Sequence, residues 1–134
     1  KTLYLGNLDA KRDWGHAKDY VVAMWKILQQ KKPEDFVIAT GKQYSIRQFI
    51  SLVSKKINIK IIWKGKGLKE KGYDSISRKP IIAIDKNYIR PLDVNTLLGN
   101  ASKARKKLSW KPRTNIDQLI EEMISEEINI LNAE

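Results

Sequence analysis

The chain has 134 residues, 42% of them apolar, and a formal net charge of +11, which is length and composition enough for one globular domain or a piece of one. Cysteine is absent, so disulfides, thiolate metal sites and cysteine nucleophiles are excluded, in keeping with a reducing cytoplasm. No apolar run approaches the roughly 20 residues needed to span a bilayer, and the first residues lack the apolar stretch of a signal peptide.

Lys1 opens a chain without an initiator Met, and Leu3-Tyr4-Leu5 reads as a short strand stopped by Gly6-Asn7, as expected of a piece of a longer polypeptide. Tyr20, Val21, Met24, Trp25 and Leu28 then recur at helical spacing and predict a helix with one apolar face, ending near Gln30. Phe36-Val37-Ile38-Ala39, between Pro33 and Gly41, reads as a buried strand. Ser45 stands where a helix N-cap belongs, followed by the stripe Ile46, Phe49, Ile50, Val53 and Ile57.

Ile59 to Trp63 is a third predicted strand. From Lys64 to Lys79 there is no apolar periodicity, and three glycines sit among basic side chains, which predicts an exposed, mobile loop. Ile81 to Ile84 is a fourth strand, left by Asp85 to Pro91. A short helix follows around Ala101 to Leu108, and Ile116, Leu119, Ile120, Met123, Ile124, Ile128 and Leu131 mark a long amphipathic helix whose carboxylates face water. The alternation of strand and helix gives an α/β class.

The charge is uneven. From Asn115 onward there are six carboxylates and no Lys or Arg, which leaves +17 on the residues before it. Such a surplus attracts nucleic acid, membrane surfaces and phosphorylated small molecules alike.

There is no G-x-x-x-x-G-K-[ST] loop and no G-x-G-x-x-G turn, and one His without Cys offers no recognisable metal-ligand spacing. Three segments carry unusual wording: Gly6 to Val21, Pro33 to Gly41, and Asp85 to Val94. The first places Arg12 at the end of a glycine-containing loop before a helix; the last places Arg90 and Asp93 three residues apart at a strand exit. A guanidinium binds phosphate oxygens through a planar fork, and a carboxylate accepts hydrogen bonds from ribose hydroxyls, so together they suit a nucleoside diphosphate.

From Leu3 to about Ile128 the chain resembles the GDP-mannose 4,6-dehydratases of the extended short-chain dehydrogenase/reductase superfamily. The resemblance is carried by Leu5-Gly6-Asn7-Leu8-Asp9-Ala10-Lys11-Arg12-Asp13-Trp14-Gly15-His16-Ala17-Lys18-Asp19-Tyr20-Val21 and by Pro33 to Arg47. Arg90-Pro91-Leu92-Asp93-Val94 and Ser109-Trp110-Lys111-Pro112 add to it but are shared more widely among sugar-nucleotide enzymes. Lys86, Ile89 and Asn100 depart from the family's usual proline, aromatic and aspartate, none of them at a functional position.

The resemblance implies the carboxy-terminal substrate-binding part of that fold, without most of the Rossmann cofactor domain. Residues 1–134 would form one sugar-nucleotide-binding portion, with residues 35–40 a strand of the cofactor domain's sheet. It implies conversion of GDP-mannose to GDP-4-keto-6-deoxymannose with NADP, which takes a hydride from C4 and returns it to C6. The family's tyrosine and lysine, spaced four apart, are absent: the residues four after Tyr4, Tyr20, Tyr44, Tyr73 and Tyr88 are Leu8, Met24, Gln48, Ser77 and Leu92. No catalytic residue is therefore assigned here, and neither NADP binding nor activity is expected of this portion alone.

By the same resemblance Arg12 and Arg90 contact the diphosphate and Asp93 holds the ribose. Gly6 and Asn7 either shape a backbone close to the nucleoside or only terminate a strand. His16, the sole histidine, belongs to a structural helix start. Arg47 serves structure or subunit contact. Three of the four tryptophans lie in or beside apolar periodic stretches and are expected in the core. The implied partners are GDP-mannose and, for the whole enzyme, a second copy of itself, with no membrane. A related nucleotide-sugar reductase or epimerase, and a basic nucleic-acid-binding module, are the alternatives.

Overall fold

The structure, a computed structural model, describes residues 1–90, 92 and 94–133. The chain divides into two compact units, one formed by Lys1–Lys11 and Tyr44–Thr96, the other by Arg12–Gln43 and Leu97–Glu134.

The first unit is built on a four-stranded sheet. Its strands are β1 (Leu3–Leu5), β4 (Ile61–Lys64), β5 (Lys71–Asp74) and β6 (Pro80–Ile84), in the order β1-β6-β5-β4. β1 runs parallel to β6, with Leu5 opposite Ile84, and the other neighbours are antiparallel. Two short strands, β2 (Lys11–Arg12) and β3 (Tyr44–Ser45), mark where the chain leaves this unit and returns to it.

β5 lies within the stretch expected as a mobile loop, so that expectation is corrected. Lys-Gly-Tyr-Asp has no apolar alternation, but a strand flanked on both sides is held by two backbone ladders rather than by its side chains. Gly72 fits because a Cβ there would lie 3.0 Å from Ile61 Cγ2 and 3.1 Å from the Trp63 ring.

α2 (Ile46–Lys56) packs in the same unit and starts as its sequence dictates. Ser45 Oγ accepts from Gln48 N at 3.1 Å, while Ser45 N donates to Gln48 Oε1 at 2.7 Å. This reciprocal cap satisfies two helix-end amides. Ser45→Ala is expected to cost about 1 kcal/mol, measured as a lowered denaturation midpoint with unchanged slope. The predicted stripe is half-buried rather than buried, and Ile57 is exposed.

The second unit is helical: α1 (Ala17–Leu28), α3 (Ser102–Leu108) and α4 (Ile116–Ala133). Its core is Ala23, Ala39, Ala101, Ala104, Leu108 and Trp110, with Tyr20, Ile27, Phe36 and Ile38 packed around them. Four alanines at the centre let the backbones approach closely, and Lys26 Nζ closes the end of α3 by donating to Leu108 O at 2.9 Å. Asp19 is buried, and its carboxylate Oδ2 accepts from the amides of Arg113 and Thr114, each at 2.9 Å. Its backbone carbonyl accepts from Trp110 Nε1 at 2.8 Å.

Two expectations are corrected in this unit. On α1 the buried residues are Asp19 and Ala23, while Val21, Met24, Trp25 and Leu28 of the predicted stripe are exposed, Leu28 to 80%. The helix is apolar nearly all round, so periodicity alone could not choose its inner face. On α4 only Ile116 and Ile120 are buried, and Met123, Ile128 and Leu131 stand in solvent. Phe36 to Ala39 forms no ladder among the described residues, as a run whose partner strands would lie in another domain must. The run is nonetheless packed closely from one side: a Cβ on Gly99 would fall 2.2 Å from that of Ala39. Of the tryptophans, Trp110 is core, Trp14 and Trp63 are half-buried, and Trp25 is exposed.

Candidate functional site

The parallel pair β1 and β6 sets the geometry of the first unit. Asp85 N donates to Leu5 O at 2.9 Å just beyond the paired residues, and the two segments then leave the sheet. Ligands of open α/β sheets collect outside such carboxyl ends, where loops from adjacent strands present backbone and side chains together.

On the β1 side the chain turns at Gly6. A Cβ there would lie 2.3 Å from Tyr88 O, so only glycine lets this turn touch the segment after β6. Asn7 follows, and its Oδ1 accepts from Asp9 N at 3.0 Å, a local turn bond. On the β6 side Asp85 Oδ1 accepts from Asn87 N at 2.9 Å and starts a single 3-10 turn, Lys86–Tyr88. Ile89 N donates back to Lys86 O at 3.1 Å. Arg90 comes next and is exposed.

Three of the five sequence-predicted residues, Gly6, Asn7 and Arg90, thus lie on the two segments that leave one parallel strand pair. Arg12 belongs to the second unit, half-buried. It borders a cleft of about 520 Å³ with Trp14, Tyr20, Val37 and Leu98. Its neighbour Asp13 is committed to the backbone: Oδ1 accepts from Thr40 N at 3.0 Å and Oδ2 from Gly41 N at 2.8 Å, holding a turn in which Gly41 has φ +80°. Asp93 lies outside the described residues.

His16 has no spare nitrogen for acid–base work. Its Nδ1 accepts from Lys18 N at 3.0 Å and caps α1, while Nε2 faces Glu122 Oε2 at 3.0 Å. Glu122 also pairs with Lys18 at 2.8 Å, and the Lys18 hydrogen bond holds its carboxyl below the usual range. No group of three or more potential metal ligands exists among the described residues, and no helix among them is long and apolar enough to cross a membrane.

Sequence reasoning left Arg47 as either a structural or a subunit-contact residue. The structure makes it the centre of an ion cluster with Asp9 at 3.0 Å and Glu70 at 2.8 Å, its guanidinium 4.8 Å from the centre of the Trp63 ring. Hydrogen bonds to Glu70 first, and to Asp9, raise its pKa still further. Glu70 lies in the stretch expected as a loop, so no local pattern joined these residues in sequence.

The family profile described as GDP-mannose 4,6 dehydratase matches residues 1–123. The chain belongs to this family. As a member of the GDP-mannose 4,6 dehydratase family it is 51% identical over 129 residues to the protein of that name from Dictyostelium discoideum, covering 96% of this chain and 36% of the relative. The human protein is 48% identical over 129 residues, covering 96% and 35%. The Vibrio cholerae protein is 46% identical over 140 residues, covering 97% and 38%. The chain therefore spans little more than a third of the relatives it matches.

Solved structures of low identity share the fold. The dTDP-glucose 4,6-dehydratase of Bacillus anthracis in complex with NAD superposes with a TM-score of 0.69 at 16% identity, over 93% of this chain and 34% of that one. RMD from Pseudomonas aeruginosa complexed with NADPH gives 0.63 at 18%, over 89% and 33%. The α/β class expected from sequence is thus found, as part of a larger architecture.

Proposed function

We propose that this chain is the carboxy-terminal, GDP-sugar-binding portion of a GDP-mannose 4,6-dehydratase, the enzyme that converts GDP-mannose to GDP-4-keto-6-deoxymannose. The observation that carries the reading is the family match over residues 1–123. In it Arg12 and Arg90 hold the diphosphate, Asp93 the ribose, and the Gly6-Asn7 turn lies beside the nucleoside.

The exposed surfaces of the second unit support it. Apart from Lys18, Asp19 and Lys26 α1 is apolar, as helices that face an interior on most sides are, and it leaves Val21, Met24, Trp25 and Leu28 uncovered. Phe36 to Ala39 is an apolar run without a ladder partner among the described residues. Both features suit a surface that joins a cofactor domain's sheet, with residues 35–40 as one of its strands. NADP would supply the hydride chemistry from that domain; this chain has no glycine-rich dinucleotide turn, so no step through NADP is assigned to its residues. What its own groups do is bind and orient the nucleotide end of the substrate, away from the reacting sugar carbons. The whole enzyme is proposed to be cytoplasmic and homo-oligomeric.

The 134-residue chain incubated alone with GDP-mannose and NADP is expected to form no keto sugar. A chimera carrying it in place of the matching 129 residues of the Dictyostelium discoideum relative is expected to form it. Turnover by the chain alone, or a folded chimera that binds no GDP-mannose, overturns the assignment. The nucleic-acid alternative is read in the same preparation: oligonucleotide binding that collapses as salt rises, with no GDP binding, would replace this reading.

A further inference from the structure

The turn at the carboxyl end of β1 is held from behind. Leu8 and Ala10 are buried plugs, exposed to 2% and 3%, and their carbonyls accept from the first amides of α2: Arg47 N to Leu8 O at 2.9 Å, Ile46 N to Ala10 O at 3.2 Å. Those amides have no partner inside their own helix, so loop and helix start satisfy each other. Between the two plugs stands Asp9, whose carboxylate is largely exposed.

Arg47 reaches that carboxylate with one edge and the sheet with the other. Nε donates to Asp9 Oδ1 at 3.0 Å. Nη1 and Nη2 donate to the two oxygens of Glu70 at 2.8 and 3.0 Å. The face of the guanidinium lies over Trp63 of β4. Glu70 immediately precedes β5, so one side chain ties the turn to two strands. The backbone of Asp9, in turn, is bound to the side chain of Asn7. A continuous relay runs from Glu70 through Arg47 and Asp9 to Asn7.

We propose that Arg47 is a positioning residue, which fixes the Asn7–Asp9 turn by gripping Asp9 and Glu70 on separate edges of one guanidinium stacked on Trp63. Its role toward a ligand rests on the reading of the Gly6-Asn7 turn as part of the GDP-sugar site. Lysine cannot replace it, since an ammonium is a point charge without two rigid edges or a flat face. The two carboxylates differ in kind. Glu70 is mostly covered and anchors the guanidinium, whereas exposed Asp9 is what the guanidinium acts upon.

The test uses Arg47→Lys and Asp9→Asn, the second of which removes only an exposed charge and leaves the Glu70 and Trp63 contacts standing. Nitrogen-15 relaxation of the 134-residue chain, without ligand, is expected to show the order parameters of Leu8 and Asp9 falling from the rigid value of about 0.85 toward about 0.6. Those of β4 and β5 should stay unchanged in Asp9→Asn. In the chimera, each variant should raise KM for GDP-mannose about fivefold with kcat within about twofold, the signature of lost binding geometry rather than lost fold. A turn that stays rigid in both variants overturns the proposal. A loosened turn with unchanged KM upholds the positioning role and instead removes the turn from the GDP-sugar site.

Discussion

Asp19→Ala is expected to destabilise the second unit by about 3 kcal/mol. Asp19 is buried and its Oδ2 accepts from both Arg113 N and Thr114 N, so truncation removes the shared acceptor of two part-buried amides. Asp19→Asn should cost only about 1 kcal/mol, because an amide oxygen in the same place accepts both bonds and only their charge assistance is lost. Burial pushes the Asp19 pKa up, but the hydrogen bonds from Thr114 and Arg113 outweigh it and leave the group below its ordinary value. A lowered folded-state pKa contributes stability that is fully present above the unfolded value near about 4 and is lost as pH falls through the folded one. The gap between wild type and Asp19→Asn should therefore be constant from about pH 6 to 8 and shrink in acid below about pH 4. Urea melts at several pH values measure it; a gap that widens in acid would mean that the buried carboxyl is protonated in the folded chain.

The elements that could be read in advance are those whose determinants are local. Ser45 and Gln48 specify the start of α2 between themselves, and Leu3 to Leu5 ends where Gly6 must. β5 could not be read, because Lys71, Gly72, Tyr73 and Asp74 are held by neighbours on both sides rather than by any pattern of their own. The face of α1 could not be read for the opposite reason, an excess of apolar residues that offered several faces. Among the candidate site residues, Gly6 and Arg90 stand out as wording, but the reason for Gly6, contact with the Tyr88 carbonyl, is a distance between segments some eighty positions apart. The Arg47 cluster was hidden in the same way: Asp9, Arg47 and Glu70 meet only once the sheet is formed.

Arg90→Ala is expected to weaken GDP binding about thirtyfold, whereas Lys66→Ala, which removes the same charge, should change it less than about twofold. The difference is one of preparation. Arg90 follows a turn fixed by the Asp85 cap, by the Ile89 to Lys86 bond and by the close approach of Gly6 to Tyr88. A guanidinium carried on such a segment loses little freedom when it meets a phosphate, and a charge-assisted contact of this kind is worth on the order of 2 kcal/mol. Lys66 is exposed between Gly65 and Gly67, both with positive φ. A screened ammonium there contributes a few tenths of a kcal/mol. Asp93→Ala should fall between them, since losing ribose hydrogen bonds is partly offset by removing a negative charge near the phosphates. Titration calorimetry of the chimera with GDP at fixed ionic strength measures all three. Equal losses for Arg90→Ala and Lys66→Ala, in folded variants, would mean that GDP is held by diffuse positive charge and that the carboxyl end of the β1–β6 pair is not its site.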